Sequence, residues 1–217
     1  MHKPVQNLIN IENQLKSSLG DVYKKRLPKS IAVSKTFKID KISPLIEHGH
    51  LHFGENKVQE AIDKWTEIKT NNTSIQLHMI GKLQTNKVKF AVKLFDYIHS
   101  VDSEKLAKKI ADEQLKVKRN IKIFIQVNIG DETQKSGINI NETNNLVVLC
   151  QKLNLNVVGF MCIPPTDADP AIYFKEMDKI NNSKNFNHLG MGMSSDYIKA
   201  AQHNSTYVRI GSHIFGQ

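Results

Sequence analysis

An alternation running the length of the chain constrains its fold more than any other feature. Short apolar runs recur, each followed by a segment whose apolar residues fall at helical spacing. The runs at 30–34, 50–53, 75–80, 97–100, 121–128, 156–160, 187–190 and 206–210 read as strands. The segments 39–47, 55–68, 85–93, 103–115, 142–152 and 170–180 read as helices; Val58, Ile62 and Trp65 share one such face. Trp65 reads as a packing residue between helix and sheet rather than a ligand contact. Ser103 before Glu104 can satisfy an exposed amide at a helix start. Val5, Leu8, Ile9, Leu15 and Leu19 mark a further helix ahead of the first strand, ending near Gly20. Strand seven has the thinnest signal. Eight units without a second-domain linker predict one closed α/β barrel, (β/α)8, with an additional N-terminal helix, over 1–217.

With 30 Lys and Arg against 21 Asp and Glu, the chain carries a formal charge of +9, which favours contact with anions. That charge is dispersed and lysine-rich. Neither an arginine block nor interleaved aromatic and basic residues point to a dedicated nucleic-acid groove. Cys150 and Cys162 lie in or beside apolar runs without metal-ligand spacing, so they read as reduced core thiols and no metal site is expected. No run approaches the roughly 18 apolar residues of a membrane span. A cytoplasmic location is the expectation.

The chemistry gathers at strand ends. Lys35 follows the run Ile31–Val33, at the C-terminal end of strand one. A solvated lysine at a strand terminus is the plain alternative to a reactive amine. Ser194 and Ser195 follow Gly190 and Gly192, and Gly211–Ser212 closes the last strand. In a barrel these are the loops after strands seven and eight, where phosphate sites recur and backbone amides can hold a dianion without a metal. Ordinary glycine turns would look the same one at a time; two on adjacent strands point to a ligand. An amine that attacks an aldehyde beside a phosphate pocket is what pyridoxal phosphate needs. Arg209, between Val208 and Ile210, points into the barrel opening if its neighbours face outward; a buried ion pair is the alternative. Beside a pyridine nitrogen, a guanidinium can only donate, which weakens the cofactor as an electron sink. Asn56 and His78 also end apolar segments. Asn56 has an amide for a ring oxygen, and His78 reads equally as a site residue or as a satisfied structural histidine. Glu55, Glu60 and Asp102 can orient such groups or serve ordinary surface roles.

These residues stand in segments that together resemble one family: AVSKT (32–36), FGEN (53–56), VQE (58–60), IG (80–81), LQ (83–84), NKVK (86–89), IHSVD (98–102), QVN (126–128), KSG (135–137), MGMS (191–194) and VRIGS (208–212), with Met161, Ile163, Pro164 and Asp196. The chain resembles the YggS/PROSC proteins, the pyridoxal phosphate homeostasis family, over essentially its whole length. The resemblance implies a barrel akin to the alanine racemase N-terminal domain, with Lys35 carrying the cofactor as an internal aldimine. Ser194, Ser195, Gly211 and Ser212 would surround the phosphate and Arg209 would approach the pyridine nitrogen. It also implies a cytoplasmic regulator of pyridoxal phosphate without established catalysis. Phe37 departs from the family's second basic residue, and the adjacent Lys38 is no clear substitute. Gly190 departs from a serine, which predicts one hydroxyl fewer near the phosphate, and Lys57 and Lys82 occupy variable rim positions.

The expected function is therefore reversible custody of pyridoxal phosphate by a monomer, with pyridoxal-phosphate-dependent apoenzymes as recipients. Two alternatives stand beside it. An amino-acid racemase would need acid–base groups on both faces of the cofactor, and the expected single domain supplies no second set. A scaffold that binds a protein partner according to cofactor occupancy is the other.

Overall fold

The computed structural model describes residues 1–216; Gln217, the last residue of the expected domain, lies outside them. The chain opens with helix α1 (Lys3–Leu19) and a short α2 (Tyr23–Arg26). Strands and helices then alternate: β1 (Lys29–Val33), α3 (Ile39–Glu47), β2 (His52–Glu55), α4 (Val58–Asn71), β3 (Gln76–Met79), α5 (Val88–Leu94) and β4 (Tyr97–Val101). The second half runs α6 (Glu104–Lys116), β5 (Lys122–Val127), α7 (Thr143–Lys152), β6 (Asn156–Cys162), α8 (Pro170–Ser183) and β7 (His188–Met193). It ends with α9 (Tyr197–Gln202), β8 (Tyr207–Ile210) and α10 (Ser212–Phe215). All eight strands are parallel and pair in sequence order, and β8 returns to β1 to close the barrel.

The additional N-terminal helix buries Val5, Leu8, Ile11, Leu15 and Leu19, a stripe at three- and four-residue steps. It lies against α3, α9 and α10, outside the strand ring. Ser103 caps α6 as its type predicts, its hydroxyl accepting from the Leu106 amide at 3.4 Å. Trp65 is fully buried, its ring 4.8 Å from that of Phe53 on β2. No helix among the described residues is long and apolar enough to cross a membrane.

Several expected boundaries move, two of them beside crowded glycines. The second strand is His52–Glu55 rather than 50–53, so α4 begins at Val58 and not at residue 55. Gly54 carries the strand onward: a Cβ there would stand 2.9 Å from Ile31 Cγ2 and 3.0 Å from Ile80 Cδ1. Strand seven runs on to Met193, past the expected residue 190. Gly192, with φ +95°, turns its bare Cα toward α9, where a Cβ would meet that of Ala200 at 2.6 Å.

Alternate residues of each strand fill the barrel. Ile31, Tyr97, Phe124, Met161 and Tyr207 form an inner cluster, separate from the larger layer between strands and helices. Strand β7 leaves no room for a side chain at Gly159 of β6, where a Cβ would fall 1.7 Å from the His188 carbonyl oxygen. Two backbones meet there, and neither has a side chain that can yield. Gly159→Ala is therefore expected to destabilise the fold by at least about 1–3 kcal/mol, the usual cost of overpacking. A denaturant midpoint equal to that of the wild type would contradict this.

Candidate functional site

At the C-terminal end of the strands a cavity of about 550 Å³ is lined by Val33, Lys35, Asn56, Ile80, Ile163, Met193, Ser194, Ser195, Arg209, Gly211 and Ser212. Seven of the eight residues singled out from the sequence line it. They come from four strand ends. Lys35 leaves β1 through Ser34, whose amide extends the ladder by donating to the Gly54 carbonyl at 2.9 Å. Its own side chain is exposed, so the amine meets solvent at the cavity mouth. Asn56 directly follows β2.

Asp196 shapes the turn after β7. Its carboxylate accepts from the Met193 amide at 2.6 Å, and its own amide donates to the Met193 carbonyl at 3.1 Å. Ser194 and Ser195 are left facing the cavity. The backbone amides of Ser194, Ser195, Gly211 and Ser212 have no acceptor among the described residues. At Gly211 a Cβ would close part of the space beside Val33, at 3.4 Å from its Cβ. Unspent amides on two neighbouring turns form a concave donor surface suited to an oxyanion.

Arg209 is 5 % exposed. It donates from Nη1 to the Gly190 carbonyl at 2.9 Å and from Nη2 to the Cys162 carbonyl at 3.0 Å. No carboxylate pairs with it among the described residues, so the ion-pair alternative does not hold. Burial pulls its pKa below the ordinary arginine value, yet a guanidinium starts so high that it stays charged. Burial pushes the thiols of Cys150 and Cys162 up to about 12, so both remain protonated at neutral pH.

His78 is the residue that the structure does not bring to this cavity. On β3 the inward positions are two apart, and Ile80, beyond the end of the strand, is the one that reaches the wall. His78 lies deeper and is fully buried, stacked on Tyr97 at 4.3 Å between ring centroids. Its Nε2 meets His52 Nδ1 at 3.0 Å and its Nδ1 meets His99 Nε2 at 2.9 Å. A chain of three histidines thus runs along the barrel interior. Sequence reasoning missed it, although His52, His78 and His99 stand on consecutive strands. Gly190 also needs correcting: a Cβ there would lie 3.3 Å from His99 Nδ1, so the missing hydroxyl faces this histidine rather than the turns after β7 and β8. Lys38 and Phe37 line a different cleft, between α3 and α4, and Lys57 and Lys82 line a neighbouring cavity that also touches Asn56.

Desolvation sets the charge of the interior histidines. It lowers His50 to about 4 and, with help from Lys29, lowers His52 to about 4. His78 and His99 are held well below the usual value by burial, reinforced by neighbouring histidines at His78 and by Arg209 at His99. A group that stays neutral in the fold while the unfolded chain takes up a proton lowers stability as pH falls. The loss begins near the unfolded value of 6.5 and, for His50 and His52, continues to about 4. Each such histidine is expected to remove about 1.4 kcal/mol per pH unit in that window. Denaturant unfolding at pH 7.5, 6 and 5 tests this; a stability that stays flat across the series would refute it.

Comparison with known proteins adds independent information. The family described as "Alanine racemase, N-terminal domain" matches residues 14–217. The pyridoxal phosphate homeostasis protein of Pasteurella multocida is 33 % identical over 223 residues, covering 97 % of this chain and 96 % of its own. The structure of PipY from Synechococcus elongatus with pyridoxal phosphate bound superposes with a TM-score of 0.85 at 30 % identity, over 98 % of this chain and all of that one. An alanine racemase of Clostridium difficile shares the fold, with a TM-score of 0.75 at 15 % identity; the match covers 99 % of this chain and 56 % of the racemase.

Proposed function

This chain belongs to the pyridoxal phosphate homeostasis proteins, and on that premise we propose that it holds the cofactor reversibly on Lys35 and hands it on without catalysis. Binding pyridoxal phosphate and maintaining its homeostasis are the function of the family and of this chain. The observation that carries the proposed mechanism is that one amine, two turns of unspent amides and a buried guanidinium line a single cavity.

The residues present fit the cofactor. When bound, pyridoxal phosphate would supply an electrophilic aldehyde, and Lys35 Nζ would be the amine that holds it. Ser194, Ser195, Gly211 and Ser212 direct backbone and hydroxyl donors at a phosphate dianion, with no metal required. Asn56 offers an amide to a ring oxygen. Arg209, fixed by two carbonyls, would meet a pyridine nitrogen only as a donor and would leave it unprotonated. Such a ring is a poor sink for a carbanion, which supports custody over racemisation. The exposure of Lys35 supports exchange with incoming amines. The recipients in this reading are pyridoxal-phosphate-dependent apoenzymes, served by a monomer in the cytoplasm.

Borohydride reduction of the loaded protein, followed by peptide mass spectrometry, should place one adduct on the Lys35 peptide and none in Lys35→Ala. A dominant adduct on another lysine of the folded protein would overturn the assignment. Ser194→Ala and Ser212→Ala should weaken pyridoxal phosphate more than pyridoxal, each by up to about tenfold, since backbone donors survive the change.

Custody and catalysis separate in deuterated water. The loaded protein should pass its cofactor to an apoenzyme yet place no deuterium at Cα across a panel of amino acids. Catalytic incorporation that requires Lys35 would establish aldimine-processing activity instead. Absence of both transfer and incorporation would favour occupancy-dependent partner binding.

A further inference from the structure

Lys35 is free at its tip, but its neighbours are held on both sides. Ser34 is fully buried and donates its hydroxyl to Glu55 Oε1 at 2.7 Å. Thr36 stands at φ +67°, a left-handed conformation that is strained for a β-branched residue, and its amide donates to Glu60 Oε1 at 2.6 Å. One side chain joins the two sides. Lys64, a turn beyond Glu60 on α4, places Nζ 2.9 Å from the Ser34 carbonyl, 3.0 Å from Glu55 Oε1 and 3.2 Å from Glu60 Oε1. Those three partners match the three hydrogens of its ammonium. The Lys64 side chain is 10 % exposed and that of Glu55 is fully buried. Trp65 Nε1 adds a further donor to Glu55 Oε1 at 2.9 Å.

The bonds to Ser34 O and to Thr36 N act on backbone on either side of the reactive residue. They therefore fix where the Lys35 Cα sits and which way its side chain leaves, whatever the side chain then does. Charge-assisted bonds of this kind are strong enough to hold one left-handed residue. We infer that Lys64 and Glu60 are positioning residues for Lys35, gripping the backbone before and after it so that its amine enters the cavity. Neither lines the cavity itself. The inference rests on Lys35 being the residue that engages the cofactor.

Glu60→Ala is the informative variant, because the Glu60 side chain is 29 % exposed and its loss leaves the buried Glu55–Lys64 pair intact. In the cofactor-free protein, the Thr36 amide should exchange its hydrogen faster. Affinity for pyridoxal phosphate should fall on the order of tenfold, the loss of one charge-assisted bond. Affinity for pyridoxamine phosphate, which lacks the aldehyde, should not change. Glu60→Gln, which keeps an acceptor for the Thr36 amide, should recover most of the loss. Lys64→Gln should show the same split between the two ligands. In a Lys35→Ala background Glu60→Ala should cost nothing further, because the two act through one path. Equal losses for both ligands would show that the network supports the pocket at large and would overturn the inference. So would wild-type affinity in Glu60→Ala despite faster Thr36 exchange. Wild-type affinity for pyridoxal phosphate in Lys35→Ala itself would instead remove the Lys35 reading beneath it.

Discussion

The parallel pairing of β8 with β1 is the contact on which the site depends. In that register Ile31 lies opposite Arg209 and Ala32 opposite Ile210. It brings the first strand, and with it Lys35, alongside the last, with its Gly211–Ser212 corner. A slip of β8 by one residue would turn Arg209 out toward the helices and put Val208 or Ile210 in its place. The amine and the oxyanion turns come from opposite ends of the chain, so the site is complete only once the ring has closed. Contacts this distant in sequence must overcome a large loop-closure entropy, which the layered core of the barrel offsets.

The barrel interior is unusually polar for a position often filled by branched apolar side chains. Three histidines form a hydrogen-bonded file, and the Tyr207 hydroxyl donates to that of Tyr97 at 3.1 Å. In a neutral file each ring gives one proton and takes one, so all the N–H groups point the same way. His99 Nδ1 ends the file with no partner among the described residues. Burial, and after it the charge of Arg209, disfavours a second proton on this ring. An unpartnered buried atom costs about 1–3 kcal/mol, so the interior is tuned at some expense to stability.

Much of this was legible in the sequence because the signals were local. Period-two and helical patterns locate the strands and helices, and small residues at two strand ends locate the oxyanion turns. Strand seven was nearly invisible, since His188, Gly190 and Gly192 lack the branched side chains that mark a strand. His99 and Met161 crowd Gly190, and α9 crowds Gly192, which is a tertiary fact. His78 ends an apolar run just as Asn56 does; only the pleat of β3 shows that it points below the cavity rather than into it. The function of Lys64 was hidden for a similar reason. On α4 it reads as a surface lysine, and only folding lays its stem over Ser34 and its ammonium between two carboxylates.

Phe37 stands two residues beyond Lys35, and its ring packs on that of Phe215 at 4.8 Å, tilted by 31°. Position 37, where the resemblance implies a second basic residue, is here a strut between the β1 turn and α10. Lys35 is also the one lysine lining its cavity among the described residues. In the proposed custody, a ligand leaving Lys35 would find no second lysine on the wall of that cavity, so release would go to water or to an amine from outside it. On that reading the pace of release would be set by what arrives rather than by a relay within the cavity.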